Sequence, residues 1–165
     1  MYPFKKHLPF LFLFLGAMVL WTSPVQAQSK AQLQAQIQQL AQANLALVAK
    51  AQNGAKLDPA TQAFFQDAQT LAQQASSIQS MTSAQVASLN TDLRTHHKKV
   101  KETGSQAFID CIRGCNDAWN DCLDDIPNND PNRDLKETIC SLRYDNCILS
   151  CRIDTSTGVL KGANK

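Results

Sequence analysis

Aromatic side chains make up only 7% of this 165-residue chain, and there are only six glycines. Any core must therefore be built mostly from Ala, Leu and Ile. An excess of either charge is missing: sixteen Lys and Arg face fourteen Asp and Glu. That balance argues against a nucleic-acid binder or a polybasic membrane protein. Apolar runs are absent beyond the extreme N-terminus, which excludes a multi-span membrane protein. There is no nucleophile elbow, no H-E-x-x-H and no Gly-rich phosphate loop, and no strand signal. The chain therefore reads as non-catalytic, with no cofactor expected. It also lacks C-x-x-C, the usual spacing of an exchangeable redox pair. No Asn-x-Ser/Thr sequon occurs.

What the N-terminus does hold is a targeting pattern. Lys5, Lys6 and His7 precede a 14-residue apolar run from Leu8 to Trp21, broken by Pro9 and Gly16. Val25-Gln26-Ala27 places small residues at the −3 and −1 positions of a cleavage site. As a helix the run rises about 21 Å, short of a hydrocarbon core of about 30 Å. Residues 1–27 are thus expected to be a signal peptide cleaved after Ala27, with no stable membrane span afterwards. The product is expected to be secreted or periplasmic. Cleavage removes two of the sixteen basic residues and leaves fourteen of each sign.

Residues 28–104 hold no Cys and are crowded with Ala, Gln, Ser and Thr. Three helices are predicted there. The first spans Ser29 to Asn53, with a heptad stripe of Leu33, Ile37, Leu40, Asn44, Leu47 and Ala51. The second starts at Asp58-Pro59, an N-cap followed by a proline at the first helical position. Its stripe is Phe64, Ala68, Leu71, Ala75 and Ile78. The third opens at Thr82 with Gln85 as capping-box partner. Its stripe is Val86, Leu89, Leu93, His96 and Val100, and it stops at Gly104. Ala buries far less than the roughly 1.5–3 kcal/mol of a Leu, so this region needs a partner surface, from its own C-terminal half or a second chain.

Residues 105–153 predict two more helices, the first capped by Ser105 and ending near Asp125. A loop of Pro and Asn follows. Asp134 then caps a helix to Arg152, with Glu137 completing a capping box. Residues 154–165 are expected to form a disordered tail.

All six cysteines lie in this region, spaced C-x3-C-x6-C and then C-x6-C-x3-C. Six Cys allow 15 connectivities, but the mirror symmetry selects one. Residues face each other across antiparallel helices when their positions share a constant sum. The pairs 111/151, 115/147 and 122/140 all sum to 262. At about 100° per residue each trio also stays within about 40° of one line along its helix. The expected disulfides are Cys111–Cys151, Cys115–Cys147 and Cys122–Cys140, stapling an antiparallel hairpin. The same register sets Ala118 opposite Tyr144, small against large.

The fold class is therefore all-α: an Ala/Gln-rich bundle or coiled-coil region, then a cystine-stapled helical hairpin. A second apolar stripe leaves the seam: Phe108, Ile112, Trp119 and Ile126 on one helix; Leu135, Ile139, Leu142, Leu149 and Ile153 on the other. It can dock on residues 28–104. Alternatively Phe108, Ile112, Trp119, Leu142 and Leu149 form an interaction surface for a protein partner or for self-association, with Trp119 as anchor. The favoured function is an exported, rigid interaction module.

Two other functions compete. Helical C-x3-C resembles the sulfur-lined helices of bacterial copper-storage bundles, which implies Cu(I) or Zn(II) handling. The resemblance stops at that spacing; strict mirror pairing is a demand of disulfides, and no metal site is assigned. A secreted inhibitor, effector or toxin is the third. Plant helical-hairpin inhibitors also tie two helices by cystines, but with two C-x3-C pairs. The acidic loop 124–134 matches EF-hand positions one, three and five at Asp130, Asn132 and Asp134. Leu135 then stands where Gly belongs and Ser141 where Glu belongs, so a solvated turn is preferred. The basic run Arg94–Lys101 reads as a solvated helix end.

Overall fold

A computed structural model describes residues 28–54, 57, 59–100 and 106–157. Residues 1–27, where a signal peptide is expected, Asp58, Gly104 and Ser105 lie outside the described residues, as do 158–165. Five α-helices account for the fold: α1 (Lys30–Gly54), α2 (Pro59–Ser76), α3 (Ser83–Val100), α4 (Gln106–Asp124) and α5 (Arg133–Thr157). Asp154–Thr157 continue α5, where the sequence suggested the start of a tail.

Local chemistry sets the starts. At α1, the Ser29 amide donates to Gln32 Oε1 (2.8 Å) and the Gln32 amide to Ser29 Oγ (3.3 Å). Thr82 and Gln85 repeat this reciprocal capping box at α3. At α5 the expected capping box does not form. The helix begins one residue before Asp134, and Glu137 is drawn away by two guanidinium groups. It accepts from Arg133 Nε (2.8 Å) and from Arg94 Nη2 (2.6 Å).

Burial in α1 departs from the heptad. The buried positions are Leu33, Ile37, Ala41, Asn44, Val48 and Ala51, whereas Leu40 and Leu47 are only partly buried at the edges of the core. From Leu33 to Ala51 that stripe repeats about every 3.6 residues, the period of a straight helix. A coiled coil needs about 3.5. α1 is accordingly a bundle helix whose seam is used within its own chain.

The partner surface that the Ala-rich helices need is α5. One core cluster joins Leu33 and Ile37 of α1, Leu71 and Ile78, Leu89 and Leu93 of α3, and Leu135, Ile139 and Leu142 of α5. The other joins Val48, Phe64, Phe65, Val100, Phe108, Ile112, Ile148 and Leu149. The N-terminal halves of α1, α3 and α5 thus share one end of the bundle, and their C-terminal halves share the other. α1, α3 and α5 run parallel; α2 and α4 run antiparallel to them. α5 is the central helix, flanked by α1 and α3, while α4 packs chiefly on α5.

The glutamines of α1 have a structural use. Gln38 Nε2 donates to the Ser76 carbonyl (3.0 Å) and Gln34 Nε2 to the Ile78 carbonyl (3.3 Å). The first satisfies a carbonyl at the C-terminal end of α2 and the second adds to the Met81 amide on the carbonyl of the turn that follows. On α5, the Leu142 carbonyl accepts from Asn44 Nδ2 (3.2 Å), and Thr138 Oγ1 donates to Asn90 Oδ1 (2.8 Å). These buried polar contacts fix how α1 and α3 sit on α5.

Candidate functional site

The C-terminal hairpin is stapled by Cys111–Cys151, Cys115–Cys147 and Cys122–Cys140, with Cα separations of 5.9, 5.9 and 5.8 Å. These lie inside the range a disulfide tolerates, about 4.4–6.8 Å. No cysteine is free. The described helices include none long and apolar enough to cross a membrane, and three disulfides fit an oxidising compartment.

The apolar residues read from the sequence as an interaction surface fall inside the molecule. Phe108, Ile112, Leu142 and Leu149 are all buried. They face residues 28–100 because the thin Ala-rich helices would otherwise lack a core. Trp119 alone of that set stays partly exposed, and its indole Nε1 is buried without a hydrogen-bond partner. Among the described residues the one large apolar side chain well exposed is Ile109, at 39%.

The layer between the second and third staples is the one that carries no sulfur, and Tyr144 sits in it. Its ring stacks on Trp119 (centroids 5.2 Å) and meets His97 edge-on (4.5 Å). Its hydroxyl donates to Asn116 Oδ1. Burial, and then the nearby Asp145 charge, push the Tyr144 hydroxyl up to about 12, so it remains a donor. Beside Tyr144 lies a cavity of about 190 Å³ lined by Cys115, Ala118, Trp119, Arg143, Tyr144 and Cys147, among others.

Behind Tyr144 lies a polar cluster that the sequence reading missed. His97 Nε2 sits 2.7 Å from Asp145 Oδ1, with side chains 3% and 2% exposed. His96 stacks on Phe64 (4.6 Å). The basic run is therefore not simply a solvated helix end, although Lys98 and Lys99 do face solvent. Residues 96 and 97 differ by about 100° around α3. That turns one toward α2 and the other toward α5, because α3 is wedged between both. The signal available in the sequence was Asp145, which with Glu137 is one of two carboxylates at buried positions of α5.

Both ring nitrogens of His96 are buried without a partner. Burial is the main cause holding its pKa below 6.5. His97 and Lys99 push the same way, against Asp145 and Asp67. The folded chain thus binds a proton at His96 less readily than the unfolded chain. The stability from this site is complete above about pH 6.5 and lost as pH falls below it. Thermal midpoints should drop between about pH 7.5 and 5. His96→Phe, which keeps a ring against Phe64, should drop less; equal slopes in both proteins would refute this origin.

The loop before α5 is occupied by its own donors. Asp130 Oδ2 accepts from Lys136 Nζ (2.6 Å) and Oδ1 from the Asn132 amide (2.8 Å). The Lys136 bond, then the Asn132 bond, hold the Asp130 carboxyl below its ordinary value. Arg133 Nη1 reaches Asn128 Oδ1 (3.0 Å) and the Pro127 carbonyl (3.4 Å). This is the bonding of a closed turn, with the oxygen atoms of Asp130 and Asn128 directed at cationic side chains and an amide.

Beyond Cys115 no residue of α4 is buried. A groove of about 490 Å³ runs between this half of α4, the start of α1 and the first half of α5. Asp121 of α4 and Asp125 just beyond its end line it on one side, Leu33 and Gln36 from α1, Lys136 and Arg143 from α5. No family model matches the chain, and neither the curated proteins nor the solved structures contain a significant match.

Proposed function

We propose that this is an exported, non-catalytic helical protein whose stapled hairpin is a rigid protein-interaction module. Residues 1–27 direct export to the periplasm or the exterior and are cleaved after Ala27. The observation that carries the reading is the free half of α4. From Ala118 onward it is held to α5 by Cys122–Cys140 while a groove separates it from α1. A covalent staple keeps this half ordered where apolar burial is slight. A partner then meets a surface that needs little ordering, which removes part of the cost of binding.

The composition of the groove sets the chemistry of the partner. With little apolar surface exposed, recognition rests on Asp121 and Asp125, with Arg143 on the opposite wall. A protein segment carrying a basic side chain fits the α4 wall. Charge reversal at both carboxylates, Asp121→Lys with Asp125→Lys, should weaken partner binding by about tenfold or more, the equivalent of about 1.4 kcal/mol. The thermal midpoint should hold. Quantitative recovery from the host envelope checks this, with Gln62→Lys on exposed α2 as control. Unchanged recovery by the double variant would remove the groove from the proposal. Metal handling would require these sulfurs to be reduced first, since all six are in disulfides.

A further inference from the structure

The three staples are not equivalent. Cys122–Cys140 stands apart, while the other two lie against each other at one end of the hairpin. Cys115 Sγ is 3.8 Å from Cys151 Sγ, although these atoms belong to different disulfides. Cys147 Sγ completes a triangle with them, every edge within 4.8 Å. Within this group Cys115 and Cys151 are buried, each 3% exposed, while Cys111 and Cys147 are partly open. The inner sulfurs of two neighbouring disulfides therefore touch, and the outer sulfurs are those a reagent meets first. The cavity beside Trp119 and Tyr144 gives access to the Cys115–Cys147 bond, with Arg143 on its wall to attract an anion.

We propose that Cys111–Cys151 and Cys115–Cys147 form a coupled exchange site whose substrate is a dithiol, and whose two-electron-reduced state carries a new Cys115–Cys151 disulfide. Thiol–disulfide exchange needs a thiolate to attack one sulfur of a disulfide and expel the other. An external thiolate attacks Cys147 Sγ, forms a mixed disulfide there, and releases the Cys115 thiolate. That thiolate already lies 3.8 Å from Cys151 Sγ. It attacks Cys151 and expels the Cys111 thiolate. The second thiol of the reagent then resolves the mixed disulfide, releasing the Cys147 thiolate and leaving the reagent as its disulfide. The two protons of the dithiol end on Cys111 and Cys147. Two electrons have passed to the protein, and one S–S bond remains where there were two.

Attack at the other outer sulfur leads to the same place. If Cys111 is attacked, the Cys151 thiolate is released against Cys115 Sγ and expels Cys147. Both entry points converge because the two buried sulfurs are the ones in contact. Cys122–Cys140 takes no part.

The test uses the unmodified protein and limiting dithiothreitol in native buffer. After acid quench, free thiols are blocked with N-ethylmaleimide and linked peptides are mapped by mass spectrometry. The expected two-electron-reduced species carries maleimide on Cys111 and Cys147, a Cys115–Cys151 link and an intact Cys122–Cys140. Reduction in concentrated guanidinium should abolish this preference, since the sulfur contact exists only in the folded hairpin. Maleimide on both members of a native pair, with the other two native disulfides retained, would overturn the proposal. So would the same Cys115–Cys151 product at equal yield in denaturant, or direct passage to six thiols. The interaction reading above is tested by binding and stands or falls separately.

Discussion

His97→Leu should destabilise the protein by about 3–5 kcal/mol, the cost of stranding a buried carboxylate by removing its hydrogen-bonded partner. The Asp145 carboxylate is 2% exposed and has the His97 ring 2.7 Å away. With Leu in its place the buried carboxylate keeps its desolvation cost and loses the hydrogen-bond partner that offsets it. The ring also meets Trp119 (5.3 Å) and Tyr144 edge-on, so part of the loss is packing. The double variant His97→Leu with Asp145→Leu should recover most of the stability, because two apolar side chains leave no orphan charge. Urea unfolding of the two single variants and the double one gives the coupling. Losses that simply add would show that the pair is not a unit.

Complete reduction should release α4 in stages and leave the rest of the bundle folded. Cys122–Cys140 joins residues 18 apart, worth about 3 kcal/mol on a chain-entropy account, with smaller increments from the other two. The first half of α4 keeps Phe108 and Ile112 in the core, at about 1.5–3 kcal/mol each. Residues 118–124 have only the partly buried Trp119, stacked on Tyr144, in that role. Hydrogen exchange of the reduced, alkylated chain should therefore show amides 118–124 losing protection first, with α1, α3 and the first half of α5 retaining theirs. Loss of α4 and α5 together in one step would mean that the staples hold the central helix too.

The two predictions separate two kinds of glue. Along α5, the inner face is held by apolar burial and a few buried polar contacts to α1 and α3. The outer face, toward α4, relies on sulfur. A hairpin seam of Cys and Ala brings helices close but buries little apolar area, so covalent bonds take over where packing is thin. That division explains why α4 can be exposed over half its length and still be ordered.

Much of this was legible before any coordinates. Helical periodicity, the Thr82–Gln85 box and Pro59 place the helices. The constant sum of the Cys positions picks out one pairing of fifteen. These features are encoded locally, or by one linear symmetry, so a sequence displays them directly. The stripe of α1 was misplaced by one position at Leu40 and Leu47, because size alone does not tell a 3.5 period from a 3.6 period over so short a stretch.

The candidate site was read less well. Which face of the hairpin is outside depends on whether residues 28–100 dock on it, and nothing local to Phe108 or Leu149 decides that. Helix composition and disulfide register follow from the sequence alone, since each needs only near neighbours or one antiparallel pair. The burial of His97, the cavity beside Tyr144 and the contact between Cys115 and Cys151 were decided by tertiary structure. Each requires several elements to arrive at one point, and the position of α3 between α2 and α5 is a property of the whole bundle.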